Sequence, residues 1–327
     1  MTDLRLVTTT GSASSLDADP VGGSSPEGSR TPEPGRPGRA ARARRRWARP
    51  RGSTLALLPF LAFVGVFLLW PTLTVVVQSV TPDGAVGTQA LMRAISGPYR
   101  SAFQNSLTLA AATAVLGGVL GLLLALAVRG MSRPAWLRPA LDAWCSVASQ
   151  LGGVPLAFAF VAALGTQGAL TKLLAAVGID LVGSGFSLST LTGLTVVYLY
   201  FQVPLMFLVV MPAVTGLRES WREAATLMGA GPVRYWRTVA APILLPSTLG
   251  GMLLLFINAF SAYATAWVLN SSGQLVPLQI RFVLQGNVIT GEQDLGYALV
   301  TWTVALLLAS LGLMSLLQRR AARWSRG

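Results

Sequence analysis

The stretch REAATLMGAGPVRYWRTVAAPILLP, Arg222–Pro246, interrupts a chain that is otherwise greasy. It sets charged residues, a Gly-x-Gly-Pro break and a second basic segment between long apolar runs. Read as a helix, Leu217–Met228 gathers Leu217, Trp221, Ala224, Ala225 and Met228 on one face. Arg218, Glu219, Arg222, Glu223 and Thr226 share the other. Glu219 and Arg222 are spaced to pair weakly. Gly229 and Gly231 suit a helix end, and Pro232 suits the first position of a new helix. The second helix carries Val233, Trp236 and Val239 on one side and is expected to end at Pro242. The whole is a helix-turn-helix at a membrane surface. On these residues alone, an amphipathic elbow joining two spans and a docking element both stay open.

The membrane follows from composition. The chain has 327 residues, of which 53% are hydrophobic and 11% charged. Soluble domains carry about 25% charged residues, so the sequence belongs with polytopic membrane proteins. There is no His, and Cys145 is the only Cys. No disulfide framework or Cys/His metal site can be built within one chain, and Ser-His-Asp and Cys-His catalysis are excluded. The net charge of +13 gathers in two runs, Gly35–Gly52 and Gln318–Arg326. Both abut apolar segments, so they read as topogenic charge touching anionic lipid rather than as nucleic-acid sites.

Residues 1–51 are rich in Ser, Pro, Gly and Arg, and read as a disordered basic cytoplasmic tail. Residues 52–327 read as one transmembrane domain. Thr54–Val80 is too long for a signal-peptide core and reads as an uncleaved first membrane helix. Six apolar stretches are long enough to span: Leu55–Val80, Phe103–Val128, Leu141–Leu164, Leu188–Thr215, Ile243–Leu269 and Leu295–Leu317. With no water to satisfy backbone groups, helices are the default, so the fold class is all-α integral membrane. Arginines crowd the tail, the loop after the second span (Arg129, Arg133, Arg138), the loop after the fourth (Arg218, Arg222, Arg234, Arg237) and the C-terminus. The alternate loops are poor in them, so both termini are expected in the cytoplasm, and the opening stretch with them.

Glu223-Ala224-Ala225, three residues, Gly229, nine residues, then Val239-x-x-Pro242 resembles the EAA loop of binding-protein-dependent ABC importer permeases, the MetI-like fold. Val239 stands where that family has Ile, and Ala241 where it has Leu. The loop lies after the fourth of six spans, as in the family. QNSLTLA, Gln104–Ala110, resembles the start of the family's second helix, and the resemblance covers about 103–318. It implies a permease subunit that is not itself an enzyme, in the bacterial inner membrane. Glu223, Ala224, Ala225, Gly229, Val239 and Pro242 would couple it to separate ABC ATPase subunits. It further implies a second permease subunit, alike or different, and an extracytoplasmic solute-binding protein. ATP would be bound by the partner, since nothing here resembles Gly-x-x-x-x-Gly-Lys-Ser/Thr and the only lysine, Lys172, falls on the outer side.

For the translocation path the polar candidates are Gln150, Gln202, Asn258 and Tyr263. An amide within a span must find a partner, and Asn258 is expected to bond between helices. Gly152, Gly153 and Pro155 suit close packing or a local kink. Leu151–Leu174 and Phe260–Leu269 resemble the spermidine/putrescine-type permeases. A polyamine would favour acidic groups along the path, and the cores of the spans offer none. The alternative is an ATP-independent secondary transporter or channel, which would show intramembrane ionisable residues or an inverted repeat.

Overall fold

A computed structural model of the chain describes residues 51–81, 86–131, 136–270, 273–285 and 293–324. The tail read at 1–51 therefore lies outside the described residues but for Arg51. The chain divides into two compact units, Met1–Leu58 and Pro59–Gly327. Of the first, only the opening turns of helix α1 are described.

The described elements are helices: α1 (Arg51–Val64), α2 (Trp70–Val80), α3 (Gln89–Ala94), α4 (Gly97–Gly130), α5 (Leu137–Gln150), α6 (Val154–Leu164), α7 (Ala169–Ala176), α8 (Leu191–Thr215), α9 (Glu219–Leu227), α10 (Pro232–Tyr235), α11 (Ala241–Ser261), α12 (Ala264–Leu269), α13 (Val276–Leu284) and α14 (Gln293–Trp324). Among the described residues, six helical stretches are long and apolar enough to cross a membrane.

The centre is α4, packed on α8 and α11. Its glycines make this possible. A Cβ on Gly121 would lie 2.5 Å from Met206 Cβ and 2.8 Å from the Val203 carbonyl oxygen. One on Gly118 would lie 2.5 Å from Met252 Cγ. Small residues let helices approach where lipid supplies no hydrophobic drive between them. Two large apolar clusters result, one around Leu109, Tyr198, Phe260 and Leu278, the other around Val128, Phe207, Val210 and Leu244. By contrast Phe60, Phe63, Phe67 and Trp70 are exposed, as suits a surface that meets lipid.

Two spans differ from the sequence expectation. The third, read over Leu141–Leu164 with close packing or a kink at Gly152–Pro155, is split after Gln150, and the stretch long and apolar enough to span is Val154–Ala176. Gly153 leaves helical geometry with φ +90°, and α6 restarts with Pro155 in its first turn. Only glycine reaches that backbone region freely. The fifth, expected over Ile243–Leu269, breaks at Ala262 and Tyr263 between α11 and α12. At its other end it does not begin anew after Pro242. Pro232–Ser261 is one continuous helical stretch of 30 residues, with a π-helical turn at Trp236–Ala240. The Ala241 N–H bonds five residues back, to the Trp236 carbonyl. Pro242 then follows with no N–H to place, so the proline is absorbed instead of ending the helix. The same device occurs in the first span, where the Trp70 N–H bonds to the Gly65 carbonyl just ahead of Pro71.

Candidate functional site

The opening stretch is held to the bundle at one point of entry. Leu217 is buried, and its carbonyl accepts a 2.6 Å hydrogen bond from Arg129 Nη2 at the end of α4. Helix α9 follows. Glu219 and Arg222 form the ion pair their spacing predicts, on an exposed face where such pairs contribute little.

Helix α9 stops at a Schellman motif. The Gly229 N–H bonds to the Thr226 carbonyl and the Ala230 N–H to the Ala225 carbonyl, both at 2.9 Å. Gly229 adopts φ +76°. Open space surrounds the position where its Cβ would be, so the need for glycine here is conformational and not steric.

The apolar face read for this helix is only partly buried. Leu217 and Ala225 pack into the core, while Trp221, Ala224 and Met228 are exposed. The turn directs Leu227 (89% exposed), Met228 (80%) and Val233 (65%) outward together. Beside them lies an open notch between α9 and α10. Glu223, Thr226, Leu227, Pro232 and Trp236 line it, and Tyr235, 6% exposed, also faces it. Of the residues predicted for coupling, Glu223 lines the notch and Ala224 is exposed beside it. Ala225 anchors α9 and Gly229 makes the turn. Val239 packs partly against the core and Pro242 lies past the π turn. Leu227, Tyr235 and Arg129 were not read from the sequence. Only the capping geometry shows that two adjacent apolar residues at the helix end both face out.

The second place of interest is where the two broken spans meet. Thr265 Oγ1 accepts from the Gly153 N–H at 2.9 Å. Tyr198 Oη donates to the Ala262 carbonyl at 3.0 Å. The backbone groups freed by both breaks thus find partners, as irregular backbone within a membrane requires. Gln150 is exposed at the end of α5, just before the first break. Tyr263 is half-buried at the second, where its hydroxyl receives Arg281 Nη1 at 2.5 Å.

The two amides behave differently from their expectations. Gln202 is fully buried between α8 and α4, with Nε2 bonded to Thr113 Oγ1 at 3.0 Å and Oε1 without a partner. It is a link between helices, away from any exposed path. Asn258 was expected to bond between helices, yet its side chain is half-exposed and has no hydrogen bond among the described residues.

Comparison with known proteins places this architecture. The family described as binding-protein-dependent transport system inner membrane component matches residues 117–324. A protein described as a ferric transport system permease, FbpB 1 of Haemophilus influenzae, is 22% identical over 258 residues, 77% of this chain. The chain spans 40% of that protein's length. The sn-glycerol-3-phosphate transport system permease protein UgpA of Yersinia pestis is 28% identical over 218 residues, 64% of this chain and 72% of that one. A chain of a bacterial ABC transporter involved in the import of the acidic polysaccharide alginate superposes with a TM-score of 0.63 at 17% identity, over 83% of this chain and 95% of that chain. The chain belongs to the inner membrane components of binding-protein-dependent transport systems: it is a multi-pass permease subunit of a bacterial ABC importer, not itself catalytic.

Proposed function

We propose that the chain forms one half of a solute pathway and takes its energy from a separate ATPase docked at the notch between α9 and α10. The observation that carries this is the exposure of Leu227 at a concavity lined by Arg222 and Glu223, with Met228 and Val233 exposed close by in the chain. An apolar rim of this kind on a short charged helix is costly to leave in water and suits a protein partner. Glu223, Ala224, Ala225 and Gly229 form the docking helix and its turn. Val239 and Pro242 join that unit to α11. Residues 52–327 act as the transmembrane domain, with 103–318 as its family core, and 1–51 as a cytoplasmic tail touching anionic lipid.

A second permease subunit completes the pathway. The Asn258 amide supports this, because a partly buried amide with no hydrogen bond among the described residues suits a facing subunit or a polar path. An extracytoplasmic solute-binding protein delivers the substrate. The arginine-rich loops support cytoplasmic termini and a cytoplasmic notch. Gln150 and Tyr263 lie at the broken spans and belong to the path on this reading, whereas buried Gln202 serves packing.

The test is co-purification of the chain with its cognate ATPase. Glu223→Ala combined with Leu227→Asp is expected to abolish recruitment while the chain still reaches the membrane. Recruitment at the unsubstituted level would sink the docking role.

A further inference from the structure

Arg281 is the one described cation set beside a helix break. Helix α13 carries it and is fixed by the Val276 N–H, which donates to Ser106 Oγ on α4 at 2.9 Å. From there the guanidinium reaches the junction of α11 and α12. It lies 4.6 Å from the Trp267 ring centroid and 5.8 Å from that of Tyr263. The two rings are stacked, 6.5 Å apart and 14° from parallel. Nη1 donates to Tyr263 Oη and Nε to Gln285 Oε1 at 2.8 Å.

Two of the five N–H groups of the guanidinium are used in this way. No carboxylate pairs with it among the described residues, where the ion pair is Glu219–Arg222 at the opposite end of the chain's spans. Its burial is partial and Trp267 is 42% exposed, so the cation and the rings it rests on are open to the surroundings of the chain. A cation held by two rings, with donors left over and no ion pair among the described residues, is arranged to take a planar or tetrahedral oxyanion through paired hydrogen bonds. A polyamine would meet repulsion at the same point.

We propose that Arg281, with Tyr263 and Trp267, forms an oxyanion-recognition site at the α11–α12 break, and that the transported solute carries a phosphate or carboxylate group. The proposal rests on the importer reading above. The headgroup phosphate of a lipid offers the same chemistry, and the arms of the test separate the two sources.

The full-length chain is purified in a maltoside detergent, which has no phosphate, and its melting temperature is followed at constant ionic strength. Sodium phosphate, sodium acetate and sn-glycerol 3-phosphate are titrated against spermidine and glycerol, with phosphatidylglycerol as a separate arm. A saturable rise with at least one soluble anion is expected. The half-saturating concentration should rise at least about tenfold in Arg281→Gln and less in Arg281→Lys, which keeps charge but loses the fork. Tyr263→Phe and Trp267→Leu keep the arginine and test the site should Arg281→Gln fail to fold; both are expected to weaken binding. A response to phosphatidylglycerol alone, a response to spermidine, an anion response unchanged by these variants, or no response at all overturns the proposal. ATPase co-purification is scored in parallel. Intact recruitment without an anion response removes this inference alone, and an anion response without recruitment removes the importer coupling alone.

Discussion

At the scale of single residues, the loop depends on one backbone angle. Gly229 holds φ +76° in open space. A β-branched side chain there faces a left-handed backbone cost of about 1–2 kcal/mol, whereas Asn tolerates the conformation. Gly229→Val is therefore expected to weaken ATPase co-purification severalfold and Gly229→Asn to retain most of it. Equal loss in both would mean that the side chain, not the turn, is what matters. Gly121 fails for the opposite reason, since its Cβ would meet Met206 and the Val203 carbonyl at 2.5 and 2.8 Å. Gly121→Leu should cost about 1–3 kcal/mol by overpacking, read as a lower melting temperature and poorer yield. The EAA spacing was legible because spacing is local. The outward pose of Leu227 and Met228 was not, because it follows from a cap whose two hydrogen bonds no residue pattern displays.

At the scale of elements, the number of spans was legible from apolar length, while the third and fifth lie elsewhere along the chain than read, and at Gly152–Pro155 no more than close packing or a kink was legible. A run such as Leu141–Leu164 stays apolar across Gly152–Gly153, so hydropathy cannot register that the helix stops there. Likewise Pro242 signals an end by composition, yet the π turn ahead of it keeps the helix going. Two consequences are measurable. Thr265→Val removes the acceptor of the partly buried Gly153 N–H and should cost about 1 kcal/mol. Solute uptake should fall in that variant while ATPase recruitment stays normal. Loss of both together would make the break a general folding element. Gln202→Leu removes the unpartnered Oε1 along with the bond to Thr113, so its effect on melting temperature should stay within about 1 kcal/mol.

At the scale of the whole molecule, the question is which side each end faces. In a Cys145→Ser background, Lys172→Cys is expected to react with a membrane-impermeant maleimide in intact cells, and Ser220→Cys only after lysis. Both sites are exposed in the chain. The reverse pattern would invert the orientation read from the arginines. Helix α10, one wall of the notch, and the fifth span are one helical stretch of 30 residues, about 45 Å long. Movement of that wall and movement at the α11–α12 break are then movements of a single rod, with no loop between them to absorb force.

The π turn in that rod has an implication for how the family's loops can change length. A π turn holds one residue more than the α-helix needs, and each residue turns an α-helix by about 100°. Deleting Thr238 would let Trp236–Ala240 relax into ordinary helix and leave the buried face of α11 in register. Because the wider turn already absorbs the extra residue, the notch would keep its face as well. What the deletion would lose is room for Pro242, whose ring would then press on the carbonyl four residues back and kink the rod.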